Sequence, residues 1–105
     1  DIINQNGGEM PQTWGVPLAE IERGIKNGVR KINIDTDCRM AMTGAIRKVL
    51  KEKPEEFDPR KYLGPAMQAM NEVCLDRLER FGASGMASKI KPISLDKMAK
   101  KYLEN

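Results

Sequence analysis

The segment Asn33-Ile34-Asp35-Thr36-Asp37 packs an amide, a hydroxyl and two carboxylates into five residues. Val29, Ile32 and Ile34 lie in or just before it, and the run Val29–Ile34 is bounded by Gly28 and by Asp35-Thr36-Asp37, which predicts a short strand. Alternate strand residues share a face, so Asn33 and Asp35 point together, away from Ile32 and Ile34. A helical pattern begins at about Asp37, and its free N–H groups near Thr36 and Asp37 form an anion-binding end. An amide and a carboxylate beside such an end make a clamp for a polar, anionic substrate. The plainer alternative is that Asp35 or Thr36 only caps the helix. Arg39 lies in the first helical turn, where the dipole disfavours a cation. A guanidinium there suits a phosphate, although a solvated surface arginine is the ordinary reading. In Asp58-Pro59-Arg60, proline fixes the geometry between two charges. Arg60 could reach a phosphate with Asp58 orienting it, or the two could form a local salt bridge at a helix start.

Composition narrows the chemistry. The 105 residues contain 18 Lys+Arg against 15 Asp+Glu and no histidine. Catalytic zinc sites usually draw on histidine, so the expectation is no metal ligand and no metal site in this chain. The mild basic excess is interspersed and aromatics make up 5%, which argues against nucleic acid and suits a small phosphate ester. Cys38 and Cys74 are too far apart for a Cys-x-x-Cys motif, and with no histidine to activate them they read as buried thiols in a reducing cytoplasm. No apolar run approaches the ~18 residues of a membrane span, and the start has no basic region of a signal peptide.

The elements that would position these groups can be read in order. Asp1–Asn6 reads as the last turn of a helix stopped by Gly7-Gly8, as though its beginning were missing. Glu9–Val16 is a loop in which Trp14 is expected to pack. Pro17 suits the first turn of a helix, with Leu18, Ile21 and Ile25 on one face and Asn27-Gly28 closing it. After the predicted strand, a helix over about Asp37–Lys51 carries Ala41, Ala45 and Val49 on one side, with Met42, Ile46 and Leu50 nearby. Its Gly44 suits close approach of another backbone. Pro54 and Pro59 mark an irregular stretch. A helix over about Pro65–Phe81 has Met67, Met70, Cys74, Leu78 and Phe81 as its packing face. Gly82–Pro92 is a loop, and Ser94 caps a final helix with Leu95, Met98 and Tyr102 on one face. One strand cannot form a sheet, and helix–strand–helix units with short turns are the repeat of α/β barrels and doubly wound sheets. A barrel needs about 250 residues, so the other strands are expected in a missing N-terminal portion.

The segment KINIDTDCRMAMTGAIRK (residues 31–48) resembles the last barrel strand and following helix of class II, metal-dependent fructose-bisphosphate aldolases. GGEMPQTWGVPLAEIERGIKNGV is similar to the family's preceding loop and helix, and FDPRKYLGPAMQAM resembles its C-terminal extension. GASGMASKIKPISLDKMAKKY resembles the tail of Calvin-cycle-type and related bacterial members. The resemblance spans the chain but only about the last third of a family member. It implies an α/β fold, the C-terminal part of a (β/α)8 TIM barrel. Residues 1–52 would be the last βα units and 53–105 a helical extension.

The resemblance further implies reversible cleavage of fructose 1,6-bisphosphate to dihydroxyacetone phosphate and glyceraldehyde 3-phosphate. Asn33 matches the family's contact to the dihydroxyacetone part, Asp35 a contact to substrate hydroxyls, and Thr36 a residue of the adjoining phosphate site. Arg39 matches an arginine that in one subgroup reaches the second phosphate in the neighbouring subunit, with Asp58 and Arg60 near that phosphate. Another subgroup carries its arginine at the position of Gly64, so retention of Arg39 places this chain in the first subgroup and implies a homo-oligomer, a dimer or tetramer. Zinc, its histidines, the acid/base aspartate and the Gly-Ser phosphate loop would all belong to the N-terminal remainder of the enzyme, and no catalytic residue to this chain. The resemblance also allows a monovalent cation, and it implies a cytoplasmic enzyme with neither nucleic acid nor membrane as partner. Two alternatives stay open: a tagatose- or sedoheptulose-bisphosphate aldolase, and a non-catalytic helical binding module.

Overall fold

The computed structural model describes residues 2–104. Five α-helices follow in order: α1 (Ile2–Gln5), α2 (Leu18–Lys26), α3 (Thr36–Glu52), α4 (Pro59–Arg80) and α5 (Leu95–Leu103), with a 3-10 turn at Ala87–Lys89.

α3 and α4 form an antiparallel hairpin, joined by a turn in which Glu56 N–H donates to Lys53 O at 3.0 Å. Its far end is tied by Arg77 of α4, whose Nη2 donates to Asp37 of α3 at 2.8 Å. Cys38, Gly44 and Ala45 of α3 and Ala66 of α4 are buried, and the Ala41–Ala45–Val49 stripe faces inward as its spacing predicts. α1 docks on the same helix. A Cβ at Gly44 would lie 2.2 Å from the Ile2 Cγ2 atom, so Gly44 admits a side chain rather than the expected backbone. α1 stops at Gly7, whose φ of 81° is a conformation open to glycine at no steric cost. Gly8 N–H then returns to Ile3 O at 2.9 Å.

Four expectations are corrected. Val29–Ile34 forms no strand pairing among the described residues, which are all helix, turn and loop. A strand exists only through pairing, and no segment among the described residues offers Arg30–Ile34 a ladder. The alternation survives: Ile32 and Ile34 are half-buried, Asn33 and Asp35 exposed. Secondly, α4 begins at Pro59, not Pro65. Asp58 Oδ1 accepts from Arg60 N–H at 3.0 Å and Pro59 occupies the first helical position, a strong start signal. Pro65 therefore lies inside the helix. Thirdly, the face of α4 turned to α3 is not the methionine face. Tyr62, Ala66, Ala69, Val73 and Arg77 turn inward, whereas Met67 is 69% exposed. Ala66 and Ala69 at the middle of that interface let the helices approach closely. Lastly, Trp14 does not pack: it is 91% exposed. Two smaller differences concern caps. Pro17 precedes α2 as its N-cap rather than opening its first turn, and Ser94 holds the N-cap position of α5 without a side-chain capping bond. Asp1, read as part of the first helix, lies outside the described residues.

The body is open. Its radius of gyration is 19.1 Å, where a compact domain of this length has about 13 Å. The accessible surface is 8838 Å², against about 5,900 Å² for a compact monomer of this mass. Apolar side chains of α4 and of the C-terminal arm, including Leu63, Leu75, Ile90 and Leu103, are exposed. No helix among the described residues is long and apolar enough to cross a membrane.

Candidate substrate site at the start of α3

The extended segment delivers Asn33 and Asp35 to the N-terminal end of α3. Asp35 occupies the N-cap position, yet its side chain makes no capping bond. Its carboxylate instead grips Arg39, which donates from Nε to Oδ1 at 2.9 Å and from Nη2 to Oδ2 at 2.7 Å. Both side chains are well exposed, Asp35 at 64%. Asn33 Oδ1 accepts a bond from Lys31 Nζ.

The first turn of α3 is a ridge between two open grooves. On one side a groove of about 480 Å³ is walled by Ile21, Ile32 and Ile34 and edged by Asn33, Asp35 and Thr36. On the other, a groove of about 400 Å³ carries Arg39 and Arg47 with Thr43 between them, Thr36 at its N-terminal end, and is also lined by Glu9 and Met10. Thr36 belongs to both. A polyhydroxylated chain with a charged end fits this division, because one flank offers an amide and a carboxylate and the other two guanidinium groups. Arg47 also donates to Gly7 O at 2.9 Å, and Lys51 Nζ to Gln5 O at 2.5 Å, so α3 holds the C-terminal carbonyls of α1.

Asp58 and Arg60 lie elsewhere. They form a fork-like pair, with Arg60 Nε donating to Oδ1 at 2.9 Å and Nη2 to Oδ2 at 2.6 Å. These bonds hold the Asp58 carboxyl below its ordinary range and raise the Arg60 guanidinium. The pair sits at the start of α4, beside the end of α3. That is roughly 25 Å from Asp35, at 1.5 Å rise per residue. The structure therefore brings together Asn33, Asp35, Thr36 and Arg39, and separates Asp58 and Arg60 from them within one chain.

Arg77 escaped the sequence reading. It ends the uncharged stripe Tyr62–Ala66–Ala69–Val73, and a charge at that register was the available signal. Cys38 and Cys74 face each other just inside it. Burial first, and then the hydrogen bond with Cys74, push the Cys38 thiol up from its ordinary value.

The profile of one family, Fructose-bisphosphate aldolase class-II, matches residues 12–86. The chain belongs to this family. It is 64% identical over 102 residues to fructose-bisphosphate aldolase 2 of Cereibacter sphaeroides, across 97% of this chain and 29% of that protein. It is equally identical, over the same share of its own length, to fructose-bisphosphate aldolase 2 of Rhodobacter capsulatus, of which it covers 90%. With the fructose-bisphosphate aldolase of Pseudomonas aeruginosa it shares 58% identity over 96% of its length, covering 28% of that protein. The chain thus spans less than a third of the Cereibacter and Pseudomonas aldolases. Class II aldolases are generally metal-dependent, but the residues here do not fit a zinc site. There is no histidine, and among the described residues no three metal-binding side chains gather.

Proposed function

We propose that this chain is the sugar-phosphate-binding, C-terminal part of a class II aldolase that reversibly cleaves fructose 1,6-bisphosphate to dihydroxyacetone phosphate and glyceraldehyde 3-phosphate. The observation that carries this reading is Asp35: a carboxylate at a helix N-cap that does not cap, exposed between Asn33 and Arg39. Asn33 and Asp35 would bind hydroxyl and carbonyl oxygens of the sugar. Thr36 and Arg39 would take phosphate oxygens, and the free N–H groups of the first turn add a favourable field for the anion. These roles are binding and orientation. Holding the substrate in one pose is itself a large share of catalysis.

In this reading Val29–Ile34 becomes the last strand of a (β/α)8 barrel once a neighbouring strand is supplied, and α3 the helix after it. Residues 1–52 would be the closing βα units and 53–105 the helical extension. The remaining polypeptide would cover the excess surface and supply every ligand of the zinc ion, and of any monovalent cation. The distance between Asp58–Arg60 and Arg39 in one chain favours a homo-oligomer, a dimer or tetramer, in which one protomer's α4 start meets another's α3 start. The cytoplasm is the proposed compartment.

The decisive experiment is Asp35→Ala in the complete enzyme. Turnover of fructose 1,6-bisphosphate should fall at least tenfold while the metal content of the purified protein stays unchanged. Loss of the metal, or unaltered turnover, would remove Asp35 from the proposed role. Tagatose and sedoheptulose bisphosphates, assayed in parallel, identify the preferred ketose. The open body also separates this reading from a freestanding helical module. The isolated 105 residues should melt by circular dichroism over a broad, shallow range, whereas a sharp cooperative transition would favour the module.

A further inference from the structure

We propose that Arg77 is a positioning residue for the substrate site, acting from α4 through Asp37 on the first turn of α3. The inference rests on the function proposed above.

Arg77 and Asp37 are 40 residues apart in sequence and meet at 2.8 Å. The arginine side chain is 17% exposed, and its other terminal nitrogen donates to Asp76. Asp37 raises the guanidinium from its ordinary value, so the charge persists at any pH of interest. Asp37 is two residues beyond Asp35 and two before Arg39. No side-chain cap fixes this end of α3, because Asp35 is turned to Arg39. What holds the first turn against α4 is the Arg77–Asp37 bridge, together with Cys38 packed against Cys74 one layer inward.

Stability alone is a poor account of this arginine. The Arg77 Nε atom is buried with no acceptor among the described residues, and an unpaired buried donor is a standing cost. Replacing both partners of a buried ion pair by apolar residues is often neutral or stabilising, and the two carboxylates that loss of Arg77 alone leaves, Asp37 and Asp76, are about half exposed and can be solvated. The rest of the stripe is apolar or small and already packs on α3, so a methionine would continue it. The bridge is instead placed at the one end of the hairpin where Asn33, Asp35, Thr36 and Arg39 must be held in register. Arginine also offers a planar fork that a lysine lacks: one arm is anchored to Asp76 on its own helix while the other reaches Asp37 on α3.

The test uses the complete enzyme and compares Arg77→Met, Arg77→Lys, Asp37→Asn and the double variant Asp37→Asn/Arg77→Met. Arg77→Met should keep its melting temperature within a few degrees yet lose ten- to a hundredfold in kcat/KM for the sugar bisphosphate, most of it through KM. Arg77→Lys should recover part of that loss. Asp37→Asn should reproduce the loss, and the double variant should be no worse than either single one, since both remove the same link. A wild-type enzyme that is active beside an Arg77→Met enzyme within twofold of it overturns the inference and leaves the proposed function standing. So does a double variant whose losses multiply. If Arg77→Met fails to fold, the near-isosteric Asp37→Asn carries the decision by the same KM criterion. A wild-type enzyme without aldolase activity overturns the functional reading and the role of Arg77 together.

Discussion

Two aspartates occupy the same formal position, the N-cap of a long helix, and each holds an arginine inside the first turn. Asp58 receives the Arg60 backbone N–H as well as its guanidinium, and its side chain is only 21% exposed. Asp35 gives nothing to its helix backbone and stays open. The first is a helix-start device whose acceptor capacity is largely used. The second keeps its carboxylate and its arginine exposed to solvent. Identical residue types therefore differ by whether the cap is made, which composition and spacing cannot show, and the function proposed above assigns ligand binding to the one that leaves its cap unmade.

The comparison can be broken by substitution. Arg39→Ala in the complete enzyme should cost about 2 kcal/mol of transition-state binding, roughly thirtyfold in kcat/KM, through loss of charge-assisted contacts. Arg60→Ala in the same assay should cost clearly less. Equal losses would mean that both arginines reach the phosphate, and an inert Arg39→Ala would exclude Arg39 from the site. Next in size, Asp58→Ala should lower the melting temperature by roughly 1–3 °C, the effect of a lost cap in a large protein, with kcat within twofold. A large kinetic loss without a thermal one would move Asp58 to the binding side.

The smallest effects are in pH. Because the Asp58 carboxyl is held below its ordinary value, its contribution is complete above about pH 4 and fades as pH falls through the lowered value. The thermal gap between wild type and Asp58→Ala should therefore narrow on acidification, and a gap that does not narrow as pH falls would mean that the charge is irrelevant. For Cys38 the sign is opposite. The folded state holds the neutral thiol, so its contribution is complete below about pH 9 and is lost as pH rises through the raised value. Cys38→Ser should flatten that alkaline decline.

Much of the helical frame is legible in the sequence. The i, i+4 spacing of Ala41, Ala45 and Val49 gives the inner stripe of α3, and Gly7-Gly8 and Asn27-Gly28 give two stops. What is not legible depends on partners. VRKINI has strand composition, but without a neighbouring strand it stays extended and unpaired. On α4, methionines outrank alanines in hydrophobicity, so the larger face looks like the core. The close approach permitted by the buried Ala45 of α3 and Ala66 of α4 selects the smaller one. Pro65 looks like a helix start because a proline in mid-helix is costly, yet the stronger signal lies six residues earlier in Asp58-Pro59. At the site, Asn33, Asp35, Thr36 and Arg39 are drawn together as their spacing suggests. Arg77 stayed hidden because its partner is distant in sequence.

Gly44 has an effect beyond its own helix. Ile2 rests where a methyl group would otherwise be, and α1 leads through Gly7-Gly8 to Glu9 and Met10, which Asn4 clasps by two hydrogen bonds to Met10. Those two residues are the far wall of the trough that faces Arg39 and Arg47. The gauge of that trough is thus set several residues away, by a hydrogen atom standing where every other amino acid carries carbon.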